Sequence, residues 1–352
     1  MSGVEEVRGI RRDAVERFFA ERVPGGAGPL RFSLISGGKS NVTYRVEGAG
    51  GAWVLRRPPL GHVLPTAHDM VREHRVLAAL ADTDVPVARP IALCDDAAVN
   101  DAPFYVMAYV DGVVLDAKRP PGFADAPEER RRIGDALVAT LAKLHAIDFR
   151  AVGLADFGKP EGYLERQVRR WAQQWERSKT GPLPAIEELA RRLAAALPAS
   201  PAPTLVHGDY RLGNLALAPR DPGTIVAIFD WEMATLGDPL ADLGYTLIYW
   251  AEAGDAVTSG FASALTAEPG FHTRAELIDA YARATGRDVA AIDFYQVLAL
   301  YKLAVISEGI YARFRMGKTL GPGFENLQRA AGALAERALA IASASSDAKL
   351  RG

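Results

Sequence analysis

One stretch of this chain constrains its fold more than any other. A short apolar run leads into His207-Gly208-Asp209-Tyr210-Arg211-Leu212-Gly213-Asn214, and a second, Ile225-Val226-Ala227-Ile228-Phe229, ends in Asp230. An apolar run of that length suits a buried strand. A carboxylate at its end needs a counter-charge, because an unpaired buried charge is costly. A divalent cation is the simplest solution. Asn214 and Asp230 offer hard oxygen ligands, which suit Mg²⁺ and not zinc. Asp209 is then placed to orient a hydroxyl and accept its proton. The competing reading is a pair of hairpin aspartates that cap turns. His207 reads as a core or loop-stabilising hydrogen bonder.

Around this stretch the chain divides in character. Val42, Tyr44 and Val46 alternate with polar residues, Trp53–Arg56 is a second β-rich run, and Gly48-Ala49-Gly50-Gly51 joins them as a hairpin. Ser36-Gly37-Gly38-Lys39-Ser40-Asn41 is a small-residue loop before them. A helix is expected over 67–81 and an extended run over 104–110, giving β-loop-β-β-α-β. After Asp111-Gly112, helices are expected over 128–147, 161–178, 184–196, 238–252, 273–285, 290–315 and 323–344. The β island 205–229 interrupts them, with its turn at Arg220-Asp221-Pro222-Gly223. A leading helix is expected over 10–22, and the last ten residues are expected to fray. The expectation is an α+β fold: a small antiparallel β lobe over 1–107, a hinge at 108–112, and a larger, mostly helical lobe over 113–352. A cleft between two such lobes is where ligands commonly bind.

Composition excludes several classes. The 352 residues carry 41 basic and 43 acidic side chains, a formal charge of −2, which gives no electrostatic basis for nucleic-acid binding. Cys94 is the only cysteine, so neither an intrachain disulfide nor a multi-cysteine metal site is possible. No apolar run reaches the ~20 residues that span a bilayer. The start lacks the apolar run of a signal peptide, and a cytoplasmic location is the default expectation.

The small lobe has chemistry of its own. Gly37, Gly38 and Ser40 suit a loop whose backbone N–H groups cradle phosphates, although a plain turn has the same composition. Met70, Glu73, Leu77 and Leu80 share a helix face, so Glu73 lies among apolar residues and wants a cation. It can instead reach the rim, with Arg56 an exposed edge residue.

The spacing H-G-D-x-x-x-x-N, followed by I-x-D-W-E and Gly237-Asp238-Pro239-Leu240-Ala241-Asp242-Leu243, resembles the aminoglycoside phosphotransferase and choline kinase families, relatives of protein kinases. The likeness covers about residues 30–310 and is greatest for the kinase-like domain fused to acyl-CoA dehydrogenases in other proteins. It implies a two-lobed protein-kinase-like fold and an ATP- and Mg²⁺-dependent transfer of a phosphoryl group to a small-molecule hydroxyl. By this resemblance Asp209 is the base, and Asn214 and Asp230 hold Mg²⁺. Arg56 takes the place of the kinase strand lysine and pairs with Glu73, and Met107, Ala108 and Val110 hold adenine. Arg57 competes with Arg56, since alternation lets only one face the cleft. Arg211, two residues after Asp209, is a cation that can neutralise the transferring group or simply face solvent.

The acceptor is less constrained. Lys302 and Arg313, eleven apart on one helix, lie about 20° from alignment and suggest a cationic stripe for an anion, or else a solvated face. Glu232 is the further substrate candidate. A hydroxyacyl-CoA or related metabolite is the expected acceptor. An aminoglycoside or other antibiotic kinase is the alternative, and a non-catalytic nucleotide-binding protein is the alternative of another class. A protein kinase is disfavoured, because Ala126-Pro127-Glu128 precedes the metal aspartate instead of following it. No nucleic-acid or membrane partner is expected, and oligomeric state is not legible.

Overall fold

A computed structural model of the protein describes residues 7–36, 41–60, 68–116, 118–255, 264–317 and 323–352. The alternation of Val42, Tyr44 and Val46 becomes strand β2 (Val42–Gly48), flanked by β1 (Arg31–Ser36) and β3 (Gly51–Arg57). Gly48 pairs with Gly51, so the hairpin turn is only Ala49-Gly50. A Cβ at position 50 would collide with the Gly25 backbone, which reserves that position for glycine.

With β4 (Pro90–Cys94) and β5 (Phe104–Ala108) these strands form a five-stranded antiparallel sheet, in the order β1-β2-β3-β5-β4. Strand β4 is absent from the sequence reading. Pro90 there reads as punctuation, yet a residue without an N–H fits the first position of an edge strand. Helix α1 (Arg12–Arg22) buries Val15 and Phe19 against Tyr44, Trp53, Leu55 and Val106 on one face of the sheet. Helix α2 (Met70–Leu80), between β3 and β4, buries Met70, Val76 and Leu77 with Val54, Tyr105 and Met107 of the opposite face. A short helix α3 (Ala97–Asn100) links β4 to β5.

The second lobe begins with β6 (Val113–Val114) and continues with helices α4 (Pro127–His145), α5 (Tyr163–Ser178) and α6 (Pro184–Ala195). Next come β7 (Thr204–Val206), β8 (Leu215–Ala218), β9 (Asp221–Ile228) and β10 (Thr235–Gly237). Strands β6, β8 and β9 make one small sheet, and β7 pairs with β10. The β8–β9 turn is Pro219-Arg220, earlier in the chain than the expected Arg220-Asp221-Pro222-Gly223. Asp221 bonds to Gly223 and Thr224 within its own strand, and a register shift between Leu217 and Ala218 takes up Pro222, Gly223 and Thr224.

Helices α7 (Pro239–Tyr249), α8 (Arg274–Thr285), α9 (Ile292–Arg315) and α10 (Leu327–Ala344) complete the lobe, with α9 central against α5, α7 and α10. The C-terminus does not fray. Asp347 caps α11 (Ala348–Arg351), Leu350 is buried, and Arg192 bonds to the Arg351 carbonyl.

The result is a two-lobed α+β fold with α2 tied across both lobes. The Arg72 guanidinium donates to the carbonyls of Phe157 at 2.5 Å and Ala234 at 3.0 Å, and Arg75 pairs with Asp156. Among the described residues, no helix is long and apolar enough to cross a membrane.

Candidate active site

The loop 207–214 runs from buried β7 to β8, and its backbone is held by the side chains of Asp242, His207 and Asn214. Gly208 has φ +82°, and a Cβ there would lie 2.6 Å from the Met233 carbonyl oxygen, so only glycine fits. Asp238 caps α7 by accepting from the Leu240 N–H at 3.0 Å, and it accepts the Tyr295 hydroxyl at 2.7 Å. One turn on, buried Asp242 accepts the N–H of His207 at 2.6 Å and that of Gly208 at 2.7 Å. His145 contacts the same carboxylate at 3.3 Å and Tyr281 at 2.7 Å. Burial opposes charge on Asp242, but His145, His207 and the backbone donors outweigh it and hold the carboxyl below its ordinary range. The His207 ring bridges the Phe229 carbonyl at 2.8 Å and the Asp209 N–H at 3.2 Å, fastening the loop to the end of β9. Asn214 donates to the Asp209 carboxylate at 2.8 Å and to its carbonyl at 2.9 Å.

Asp230 follows β9 with φ 66° and ψ 60°, a left-handed conformation that costs a non-glycine residue on the order of 1 kcal/mol. Its carboxylate accepts from Arg56 Nη2 at 2.5 Å, while Arg56 Nε donates to Glu73 at 2.8 Å. Glu73, only 2% exposed, also accepts the Tyr105 hydroxyl at 2.9 Å and the Asn41 amide at 2.6 Å. Burial pushes its carboxyl upward against the pull of Arg56. Strand alternation separates the two arginines. Arg56 faces α2 with Val54, while Arg57 shares the α1 face with Trp53 and Leu55 and donates to the Gly9 carbonyl.

Two cavities flank these groups. The first, about 330 Å³, is mostly apolar and is lined by Met107, Ala108, Val110, Val54, Leu77 and Phe229, with Arg56 and Asp230 at its polar end. Gly37, Gly38 and Ser40 lie outside the described residues. The second, about 680 Å³, is lined by Gly208, Glu232, Tyr245 and Lys302 together with Lys159, Arg166 and Arg170. The segment 229–235 is common to both: Phe229–Trp231 line the first cavity and Glu232–Thr235 the second. Glu232 accepts from Asn41 at 3.2 Å and contacts His68 at 3.4 Å. Lys302 donates to the Gly208 carbonyl at 3.2 Å, and burial pushes its ammonium pKa down.

Of the expected residues, Asp209 and Asn214 line neither cavity but are joined to Gly208 and Phe229, which do, by the loop and the His207 ring; two others are not brought in. Arg313 is exposed near the end of α9 and lines neither cavity. Lys302 and Arg313 share an angle on the helix but are separated by roughly 16 Å of axial rise. Arg211 also lines neither cavity. It pairs with Asp116 at 3.2 Å, lies 3.6 Å from Asp209 Oδ1, and sits over the Tyr249 ring at 5.2 Å. The sequence reading missed Asn41, Tyr105, Arg166 and Arg170. The last two recur at i, i+4 with Gln167 and Trp171, a period that marks one helix face.

The fold is that of the two-lobed, kinase-like phosphotransferases. The chain belongs to the phosphotransferase enzyme family, whose sequence profile matches residues 31–295. It is 35% identical to acyl-CoA dehydrogenase family member 11 of Gallus gallus, over an alignment that covers 96% of this chain and 45% of that protein. It spans less than half the length of the curated relatives it matches. A Ralstonia eutropha structure provisionally described as an aminoglycoside phosphotransferase superposes with a TM-score of 0.80 at 35% identity, covering 94% of this chain and 97% of that one. A thermostable aminoglycoside phosphotransferase APH(4)-Ia variant, in a ternary complex with AMP-PNP and hygromycin B, shares the fold at a TM-score of 0.61 and 14% identity, over 94% of this chain and 99% or more of that one.

Proposed function

We propose that this protein transfers the γ-phosphoryl group of ATP, with Mg²⁺, to a hydroxyl of an anionic small molecule, with a hydroxyacyl-CoA as the leading acceptor. The observation that carries the acceptor class is the charge of the larger cavity. Arg72, Lys159, Arg166, Arg170 and Lys302 line it and outnumber its carboxylates, Asp69, Glu232 and Asp242; Asp69 caps α2 and Asp242 is turned to the backbone of the loop. Such a wall attracts an anion and repels a polycation. The dehydrogenase family name of the curated relatives supports an acyl thioester, and the same wall disfavours an aminoglycoside.

The smaller cavity suits an adenine between apolar walls, with Met107 behind it and the backbone of Ala108 and Val110 at its edge. Arg56, held by Glu73, would bear on the phosphates. Asn214 and Asp230 fit Mg²⁺. Asn214 commits its amide nitrogen to Asp209, which leaves its oxygen for a cation, and Asp230 gives Arg56 only one of its oxygens. Among the described residues no group of three or more His, Cys, Asp or Glu could hold a metal. A Mg²⁺ shared with nucleotide phosphates needs no such group. When bound, the ion neutralises charge on the phosphates.

The protein's own residues do the rest. Asn214 orients Asp209 through Oδ2, and Oδ1, which Arg211 flanks at 3.6 Å, would accept the hydroxyl proton as the hydroxyl oxygen bonds to the γ-phosphorus and the bond to ADP breaks. Arg211, ion-paired to Asp116, would hold Asp209 in position instead of meeting the phosphoryl group. Glu232 would sit at the boundary between nucleotide and acceptor. The test is ADP release with MgATP and a panel of hydroxyacyl-CoAs, free hydroxy acids, choline, sugars and aminoglycosides. Turnover should be greatest with a hydroxyacyl-CoA. Efficient phosphorylation of a kanamycin-type acceptor, with none on any hydroxyacyl compound, would overturn the assignment.

A further inference from the structure

The ammonium of Lys302 already sits in a cage. Nζ lies 4.5 Å from the centroid of the Tyr245 ring and 5.9 Å from that of Trp171, and it donates to the Gly208 carbonyl. Trp171 is 8% and Tyr245 7% exposed, so neither ring is free to swing away. Each is also tied by hydrogen bonding, the Trp171 indole N–H to Gln167 at 3.2 Å and the Tyr245 hydroxyl to that of Tyr249 at 3.5 Å. The Gly208 carbonyl is fixed because Asp242 holds the adjoining N–H groups. Two ring faces within about 6 Å and a carbonyl oxygen are the components of a cation site. The carboxylate of Asp209 adds attraction from the next residue of the loop.

An apolar side chain of similar length would fill this volume without the cost of desolvating an ammonium. The charge is held there nonetheless, on the wall of the larger cavity beside Asp209. We infer that this corner is a cation-binding cage occupied by the protein's own Lys302, and that the occupancy makes Lys302 a specificity-determining residue. An ammonium-bearing acceptor finds the cage filled and meets a like charge. An anionic acceptor meets the exposed side of the lysine ammonium.

Truncation gives a direct test. The atoms that Lys302→Ala removes are those of n-propylammonium, so the variant should leave a hole of that shape. Because the role of the cavity as the acceptor site is itself proposed above, binding is measured by calorimetry without nucleotide. A failed phosphotransfer assay would then touch only the acceptor reading. The Lys302→Ala protein should bind n-propylammonium roughly tenfold or more tightly than the unaltered protein does, and more tightly than it binds the neutral isostere n-butane. Equal affinity of the two proteins for n-propylammonium, or no preference for it over the alkane, would overturn the inference. Should Lys302→Ala not fold, Lys302→Met keeps the bulk and removes the charge. At low salt it should then bind a polycationic aminoglycoside roughly fivefold or more tightly than the unaltered protein. No gain in that variant would also overturn the inference.

Discussion

Asp242→Asn isolates what holds the candidate catalytic loop. The carboxylate accepts two backbone N–H groups, at 2.6 and 2.7 Å, in a site only 1% exposed. Asparagine has the same shape but only one acceptor oxygen. Its NH₂ group must therefore face either the His207 or the Gly208 N–H, donor against donor. An unmet buried donor costs about 1–3 kcal/mol, and disturbing the contact with His145 adds to that, so the expected loss is about 2–4 kcal/mol. For a chain of this size the thermal midpoint should fall by roughly 3 °C or more. Hydrogen exchange of the peptide spanning 205–211 should accelerate more than that of α10. The pH dependence has a fixed sign. The folded carboxyl lies below its unfolded value, so its contribution is complete above about pH 4 and is lost as pH falls through the lowered folded value. The unaltered protein should therefore lose its advantage over Asp242→Asn in acid. A midpoint shift under about 1 °C with unchanged exchange at 207–208 would refute the assignment of Asp242 as the loop anchor.

Arg56→Ala should lower nucleotide affinity or turnover, with partial recovery in Arg56→Lys, whereas Arg57→Ala should reduce thermal stability with little effect on nucleotide binding. The reverse pattern would place the wrong arginine in the cavity. Asp230→Ala should weaken Mg²⁺-dependent ATP binding by calorimetry by at least the roughly tenfold that even outer-shell changes cost a metal site. Equal MgATP affinity would remove Asp230 from that role. Arg166→Glu with Arg170→Glu should raise the acceptor KM by roughly fivefold or more at low salt, whereas Arg313→Glu should leave it unchanged.

The small lobe was legible because period-two alternation and the glycine hairpin are local signals. Strand β4 was not, because a five-residue edge strand that opens on proline looks like a boundary. Alternation said that one of Arg56 and Arg57 faces the cleft. Which one depends on the packing of α1 against Trp53 and Leu55, a contact that sequence spacing does not contain. The loop 207–214 and Asp230 stood out because carboxylates beside apolar strands need partners. The acceptor side was read only in part. Helical periodicity gives the angle of Lys302 and Arg313 but not which end of α9 meets the cavity. Arg166 and Arg170 look like any solvated helix face until α9 supplies the opposite wall. Asn41 carries no pattern of its own, and its bonds to Glu73 and Glu232 come from tertiary placement.

The central claim is that Asp209 is the base of a phosphoryl transfer, and one comparison tests it most directly. The unaltered protein and Asp209→Asn should be matched for MgATP affinity by calorimetry and then assayed for acceptor-dependent ADP release under saturating nucleotide. The account predicts equal nucleotide binding and a fall in turnover of ~10²–10⁴-fold, the usual worth of a positioned base. Unchanged turnover in Asp209→Asn would contradict it.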